Sequence, residues 1–230
     1  NKKRTFIVRK NIFFKNPLDI TKNSKVDIVI ELIGSSDGIS KKVVESALKN
    51  KKHVITANKA LMSKHGDNLT SIAEKNRVNL EFEAAVGGGI PVLRTIKDGL
   101  ATNKINKVVG ILNGTSNYIL SQMQKTKKSF KNVLKEAQKL GFAEANPKFD
   151  LDGSDVLAKI RILSSLSFNN KISKNICLRN GIENIELKDI DMAEKLDLRV
   201  KLLGITEIIN NKLCSDEKTI NLFFFSILID

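Results

Sequence analysis

The chain has 230 residues, 41% of them hydrophobic and 28% charged, which is enough apolar material for one or two packed domains and too much for a disordered chain. Basic residues outnumber acidic ones by 39 to 25, a net charge of +14, but they are spread along the chain, and with one Tyr and no Trp there are few stacking platforms, so no nucleic-acid partner is expected. No apolar run approaches the roughly 18–20 residues that cross a bilayer. The only cysteines, Cys177 and Cys214, have no paired or metal-ligand spacing, which suits a reducing, cytoplasmic setting.

The first half alternates strand and helix. Residues 26–33 (Val-Asp-Ile-Val-Ile-Glu-Leu-Ile) read as a buried strand ending at Gly34, and residues 39–50 as an amphipathic helix with Val43, Val44, Ala47 and Leu48 on one face. A strand at 53–57, a helix at 66–77 and a third strand at 78–86 follow. This alternation predicts a parallel sheet with crossover helices. At Gly87-Gly88-Gly89 the pattern changes, and Pro91 sits where a first helical turn would start, in a helix reaching Gly99. A strand at 107–112, a helix from Thr115 and a helix at 129–140 come next, the last with Ser129 as N-cap and Gly141 as its stop. Residues 142–153 show no period. A helix is predicted over 154–167, a short helix over 188–196, and a strand over 200–209 that could lie near a subunit interface. The apolar tail, 222–230, reads equally as a terminal strand or as the product of a truncation or translation slip.

The stretch from Gly141 to Lys159 concentrates four carboxylates, Glu144, Asp150, Asp152 and Asp155, in a loop and at a helix start. Asp155 and Lys159 are four apart and share a helix face. Taken alone they read as a surface ion pair. The apolar residues around Lys159 (Leu157, Ile160, Ile162 and Leu163) instead suggest a partly buried stem, and a lysine so placed beside a carboxylate can serve as a general acid or base.

Residues 141–147 (Gly-Phe-Ala-Glu-Ala-Asn-Pro), followed by Asp150, Asp152-Gly153-Ser154-Asp155 and Lys159, resemble the homoserine dehydrogenase signature. Three more stretches resemble that family in order and spacing: Thr56 to Leu61, Phe82 to Pro91, and Gly110 to Leu120. The resemblance implies an α/β fold, with a partial Rossmann-type parallel-sheet domain (residues 1–86) followed by an α+β substrate-binding, catalytic and dimerisation domain (87–230). It also implies NAD- or NADP-linked interconversion of L-homoserine and L-aspartate 4-semialdehyde by a homodimer. Lys159 and Asp155 take the family's catalytic positions. Glu144, Asp155 and Asp150 take the substrate-binding positions, where carboxylates suit an ammonium group, together with Gly114 and Thr115 at a helix start. Lys59, Gly141, and Gly34 with Ser35 past the end of a strand, are expected to face the cofactor. The carbonyls of Glu83, Val86, Gly88 and Ile90 match a monovalent-cation site, an all-oxygen set that suits sodium. From the residues alone that loop is simply a tight turn.

The sequence departs from the family in three places. The glycine-rich phosphate-binding turn that opens such domains is absent. The expectation is therefore a chain lacking the start of its first domain, with a folded but inactive fragment as the alternative. Phe142 stands where tyrosine is frequent, and Asn146 where aspartate is.

Overall fold

The computed structural model describes residues 13–169, 171, 179–208, 220–223 and 227–229. They form two compact units that divide between Phe82 and Glu83.

In the first unit, α1 (Pro17–Lys22) is capped by Asn16, whose side chain accepts from the Leu18 amide. Then β1 (Ile28–Glu31), α2 (Ile39–Lys49), β2 (His53–Thr56), α3 (Lys59–Asn76) and β3 (Leu80–Glu81) alternate as the sequence predicts. The strands make a parallel sheet in the order β1-β2-β3, with Ile28 opposite His53 and Val54 opposite Leu80. Val43, Val44, Ala47 and Leu48 of α2 and Leu61, Met62, Leu69 and Ala73 of α3 are buried, as are Val29, Val54 and Leu80 of the strands. These make the core.

Three expectations are corrected. The strand at 26–33 is not buried throughout: it alternates, and among the described residues Ile30 and Leu32 are 63% and 72% exposed. The helix predicted over 66–77 starts at Lys59, because the Asn58 side chain accepts from the Leu61 amide at 3.0 Å and satisfies the first turn. The third strand is only Leu80–Glu81. It ends because residues Glu83–Ala85 coil into a 3-10 turn, and the Glu83 carboxylate accepts from the amides of Leu93 (3.0 Å) and Arg94 (2.9 Å), turning the chain into the next helix.

The second unit opens with α4 (Val92–Arg94), which continues as a π-helical turn, Thr95–Gly99. There follow β4 (Lys107–Gly110), α5 (Gly114–Thr126), α6 (Phe130–Lys139), the short α7 (Lys148–Leu151), α8 (Ser154–Phe168), α9 (Leu187–Lys195), and strands β5 (Leu198–Val200), β6 (Gly204–Ile208), β7 (Ile220–Phe223) and β8 (Ile227–Ile229). An antiparallel sheet runs β4-β6-β7, and β5 pairs with β8. The strand predicted over 200–209 is therefore two strands in two sheets; Ile209 lies outside the described residues. The break precedes Gly204, where a Cβ would lie 2.8 Å from Leu112 Cδ1 and 3.0 Å from Val156 Cγ1, so the strand passes too close to α8 for any side chain.

Helix α8 is the core of this unit. Val156, Leu157, Ile160, Ile162 and Leu163 are buried, and Thr206 of β6 donates to Ser164 at 3.0 Å in the interior. Ile119, Leu120 and Met123 of α5 and Val133 and Ala137 of α6 complete it. Gly141, at φ +79°, follows the end of α6, as predicted for a helix stop. The loop 142–153, in which no element was expected, contains α7.

Candidate active site

In the first unit the predicted positions Gly34, Ser35 and Lys59 sit past the carboxyl ends of β1 and β2, where parallel α/β sheets bind ligands. Two polar side chains to which the sequence reading gave no role, Glu31 and Asn58, hold these loops. Glu31 is 2% exposed. Its Oε1 accepts from the Ile33 amide (2.7 Å), the Gly34 amide (3.3 Å) and the Ser40 hydroxyl (2.7 Å), and its Oε2 from the Thr56 hydroxyl (2.7 Å). Burial opposes its charge, but these bonds from Ser40, Thr56 and the two amides outweigh it and hold the carboxyl below the usual glutamate value. Asn58 caps α3 through its oxygen and donates through its nitrogen to the Ser35 carbonyl (2.8 Å) and Ser40 hydroxyl (2.9 Å). The turn that carries Ser35 is thus tied to the residue preceding Lys59.

Gly34 has φ +95° and an added Cβ would meet no atom within 4 Å, so its backbone is open to close approach by a ligand. Farther along the loop Asp37 accepts from Lys64 Nζ (2.6 Å) and Ser36 Oγ (2.7 Å) and pairs with His65 Nε2 (2.9 Å). Lys64 first, then Ser36 and His65, hold its carboxyl far below the usual range.

In the second unit the predicted residues Asp150, Asp155 and Lys159 come together around the start of α5. Asp155, in the first turn of α8, is 1% exposed. Lys159 donates to Asp155 Oδ2 at 2.7 Å and to the carbonyl of Leu112 at 2.6 Å. The pair is hydrogen-bonded and part-buried, its aspartate fully so, rather than the surface ion pair that spacing alone allows. Asn113 joins it: its Nδ2 donates to Asp150 Oδ1 (2.8 Å) and Asp155 Oδ2 (2.9 Å), and its Oδ1 accepts from the Ser116 amide (2.8 Å). Asn113 is the N-cap of α5. An asparagine directly before Gly-Thr-Ser was a cap signal that could have been read. Ser116 Oγ donates to the Asp150 carbonyl at 2.8 Å and anchors α7.

Thr115 donates to the Phe142 carbonyl (2.9 Å), and the Phe142 ring stacks on Tyr118 with centroids 4.5 Å apart, which places Gly141 and its neighbours beside the head of α5. Glu144 is exposed, on a loop whose carbonyls at Glu144 and Ala145 accept from Gln138. The predicted cation-site residues lie in a separate loop. There Gly87 and Gly89 take positive φ, the Glu83 carbonyl accepts from Val86 and the Ile90 carbonyl from Val92, while the Glu83 carboxylate is engaged by α4. Among the described residues no group of three or more His, Cys, Asp or Glu is placed to hold a metal, and no helix is long and apolar enough to cross a membrane.

The chain thus joins a parallel α/β unit to an α+β unit that carries an aspartate–lysine pair. Comparison with known proteins agrees in both halves. Residues 8–83 match the profile described as homoserine dehydrogenase, NAD binding domain, and residues 91–222 the profile of homoserine dehydrogenase. A homoserine dehydrogenase of Neisseria gonorrhoeae is 46% identical over 194 residues, 84% of this chain and 44% of that protein. One from Bacillus subtilis is 42% identical over 206 residues, 90% of this chain and 47% of that protein. The crystal structure of a homoserine dehydrogenase from Thiobacillus denitrificans superposes with a TM-score of 0.85 at 41% identity, covering 91% of this chain and 47% of that one. The chain belongs to the homoserine dehydrogenase family. It spans a little under half the length of these curated relatives.

Proposed function

We propose that this chain carries the substrate-binding and catalytic segment of an enzyme interconverting L-homoserine and L-aspartate 4-semialdehyde with NAD or NADP, a step in the synthesis of threonine, methionine and isoleucine from aspartate. The observation that carries this reading is the part-buried, hydrogen-bonded Asp155–Lys159 pair beside Asp150, at the positions where the family resemblance places the catalytic and substrate-binding groups.

The proton chemistry falls to Lys159. In oxidation it accepts the proton of the substrate hydroxyl; in reduction it returns one to the same oxygen. Its two bonds, to Leu112 O and Asp155 Oδ2, fix the head group so that its remaining valence serves that oxygen. Asp150, Asp155 and Glu144 supply negative charge for the substrate ammonium, and Gly114 and Thr115, at the N-terminus of a 13-residue helix, offer amides to its carboxylate. When bound, the nicotinamide accepts or supplies the hydride exchanged at the carbinol carbon. We assign Gly34, Ser35 and Lys59 of the first unit to hold the cofactor, and for Gly141 we keep the cofactor-facing role that the family resemblance implies. The open, positive-φ backbone at Gly34 and at Gly141 fits a ligand in close approach.

The Glu83, Val86, Gly88 and Ile90 carbonyls remain our assignment for a sodium ion with a structural role. The engagement of the Glu83 carboxylate by α4 favours ligation there by main-chain oxygen. We further assign a homodimer, to which the half-exposed Val109 on β4 offers apolar surface.

The test is homoserine-dependent reduction of NADP⁺ and NAD⁺ by this chain and by a form extended at its N-terminus through a glycine-rich turn. The alanine variant of Lys159 is expected to lose about 10²–10⁴-fold in turnover, the range of a general acid–base group, with its circular dichroism unchanged. Turnover retained in Lys159→Ala would remove Lys159 from the mechanism. Two folded but inactive forms would favour the inactive-fragment reading.

A further inference from the structure

The side chain that organises the proton-transfer pair is a neutral amide. Asn113 is 5% exposed and spends every hydrogen-bonding group it has at this site: oxygen to the Ser116 amide, both amide protons to carboxylates on two other elements, α7 and α8. Its orientation is unambiguous. Turned over, it would set NH2 against N–H and a carbonyl oxygen against Asp150 and Asp155. Its immediate neighbour, Leu112, accepts from Lys159 through its carbonyl at 2.6 Å. One dipeptide, Leu112-Asn113, therefore grips the lysine with its backbone and the aspartate with its side chain. Asp155 Oδ2 is the shared point, receiving Lys159 Nζ at 2.7 Å and Asn113 Nδ2 at 2.9 Å.

The chemistry of the bridge follows from its neutrality. A lysine or arginine there would neutralise the negative pocket that a substrate ammonium requires. An aspartate there would set three carboxylates together. An amide holds two carboxylates side by side without changing their charge.

We propose that Asn113 is a positioning residue for this site: it bridges Asp150 to Asp155 and fixes the carboxylate oxygen against which Lys159 is aligned. The proposal rests on the dehydrogenase reading above for its kinetic consequence, while the bridge itself can be tested without turnover.

Two variants separate the bridge from the helix cap. Asn, Asp and Ser are comparable N-caps, so Asn113→Asp and Asn113→Ser both keep the bond to the Ser116 amide; ionised Asp has no donor for the two carboxylates, and Ser has a single O–H on a side chain too short to span them. We expect Asn113→Ser to keep the wild-type circular dichroism, and each folded variant to lose about 10²-fold in kcat, the scale of a misplaced reacting group. In Asn113→Asp the loss is pH-dependent: neighbouring carboxylates keep the introduced carboxyl protonated to higher pH, and while protonated it supplies one O–H donor. The variant-to-wild-type kcat ratio therefore rises by about tenfold on going from about pH 9 to about pH 6, whereas Asn113→Ser gives a flat ratio. A purely structural cap predicts wild-type kcat in Asn113→Ser, and that result overturns the proposal, as does a flat ratio in Asn113→Asp. If Asn113→Asp fails to fold, Asn113→Ser decides.

If wild type itself shows no turnover, the dehydrogenase reading fails and the bridge is judged by carbon-13 NMR of the aspartate carboxyls. The Asp150 and Asp155 carboxyl signals must both move in Asn113→Ser relative to wild type, with the remote Asp19 signal unmoved. Superimposable spectra overturn the bridge.

Discussion

Removing the Glu31 carboxylate tests how the first unit holds its loops. Four donors converge on it, at 2.7, 3.3, 2.7 and 2.7 Å. The Ile33 and Gly34 amides are part-buried, so water can replace the lost acceptor there. The Ser40 and Thr56 hydroxyls are fully buried and cannot recruit it. At about 1–3 kcal/mol for each buried donor left unmade, less the relief of no longer burying a charge, Glu31→Ala is expected to cost about 3 kcal/mol. Glu31→Gln keeps one oxygen for the Ser40 side and turns its NH2 toward Thr56, whose hydroxyl can rotate and accept; about 1 kcal/mol is expected.

The pH dependence has a definite sign. The folded state holds the Glu31 carboxyl below its ordinary value of 4.5. That contribution is therefore fully present above pH 4.5 and is lost as pH falls through the folded value, so the gap between wild type and Glu31→Gln narrows in acid. With two compact units, a single melting curve is a poor measure. Amide exchange at Ile33, Gly34 and Val54 reads the local cost. If Gln costs as much as Ala, or if the gap between wild type and Gln is the same in acid as at neutral pH, the hydrogen-bond reasoning is wrong.

Two further expectations concern the second unit. A Cβ at Gly181 would lie 2.2 Å from the Leu151 carbonyl oxygen and 2.7 Å from the Asp152 Cα, so Gly181→Ala must push the chain away from the end of α7; a loss of about 2–3 kcal/mol is expected in urea titration, and a neutral result would show this junction to be loose. Lys201 donates to Asn117 and Ser121 of α5, and burial, with Arg199 adding to it, holds its ammonium below the usual lysine value of 10.5. The fold therefore disfavours its charge, and wild-type stability gains as pH rises through the folded value toward 10.5. Lys201→Met abolishes that alkaline gain and costs about 1 kcal/mol near neutrality from the two lost bonds. An alkaline gain undiminished in the variant would point to another group.

What the sequence made legible follows from physical range. The elements with strong local patterns were read nearly to the residue. Helix α2 shows its Val43, Val44, Ala47, Leu48 stripe, and α8 follows Gly153, whose φ of +81° only glycine adopts easily. The carboxylate-rich loop and its lysine were legible because Asp155 and Lys159 are one helical turn apart, and that alone puts them in contact. The boundaries that failed were set by single contacts that periodicity does not register. α3 begins seven residues earlier than periodicity suggested because a single asparagine, Asn58, caps it, while the buried Gly66 and Ser63 blur its apolar face. The strand at 200–209 is continuous in propensity and broken in space, since Gly204 must clear Leu112 and Val156 from other parts of the chain.

The same reasoning explains which site residues were missed. Glu31, Asn58 and Asn113 carry no local mark of function. Each stands at the end of an element and acts through partners 9–25, 18–23 and 37–42 residues away respectively. Their polar groups are buried, and a buried polar group must be satisfied by whatever the fold brings near it. Groups that take part in proton transfer announce themselves by residue type; groups that hold them in place are recognisable only once the contacts exist. Asn113 shows the difference most sharply. Its neighbours Gly114 and Thr115 were legible from the motif, yet Asn113, in the same stretch, is the one whose three hydrogen bonds set Asp150, Asp155 and the head of α5 in a single arrangement. Replacing Asn113 should therefore reach the proton-transfer pair through Asp155, whereas changing Thr115, whose hydroxyl donates to the Phe142 carbonyl, should act on the loop beside it.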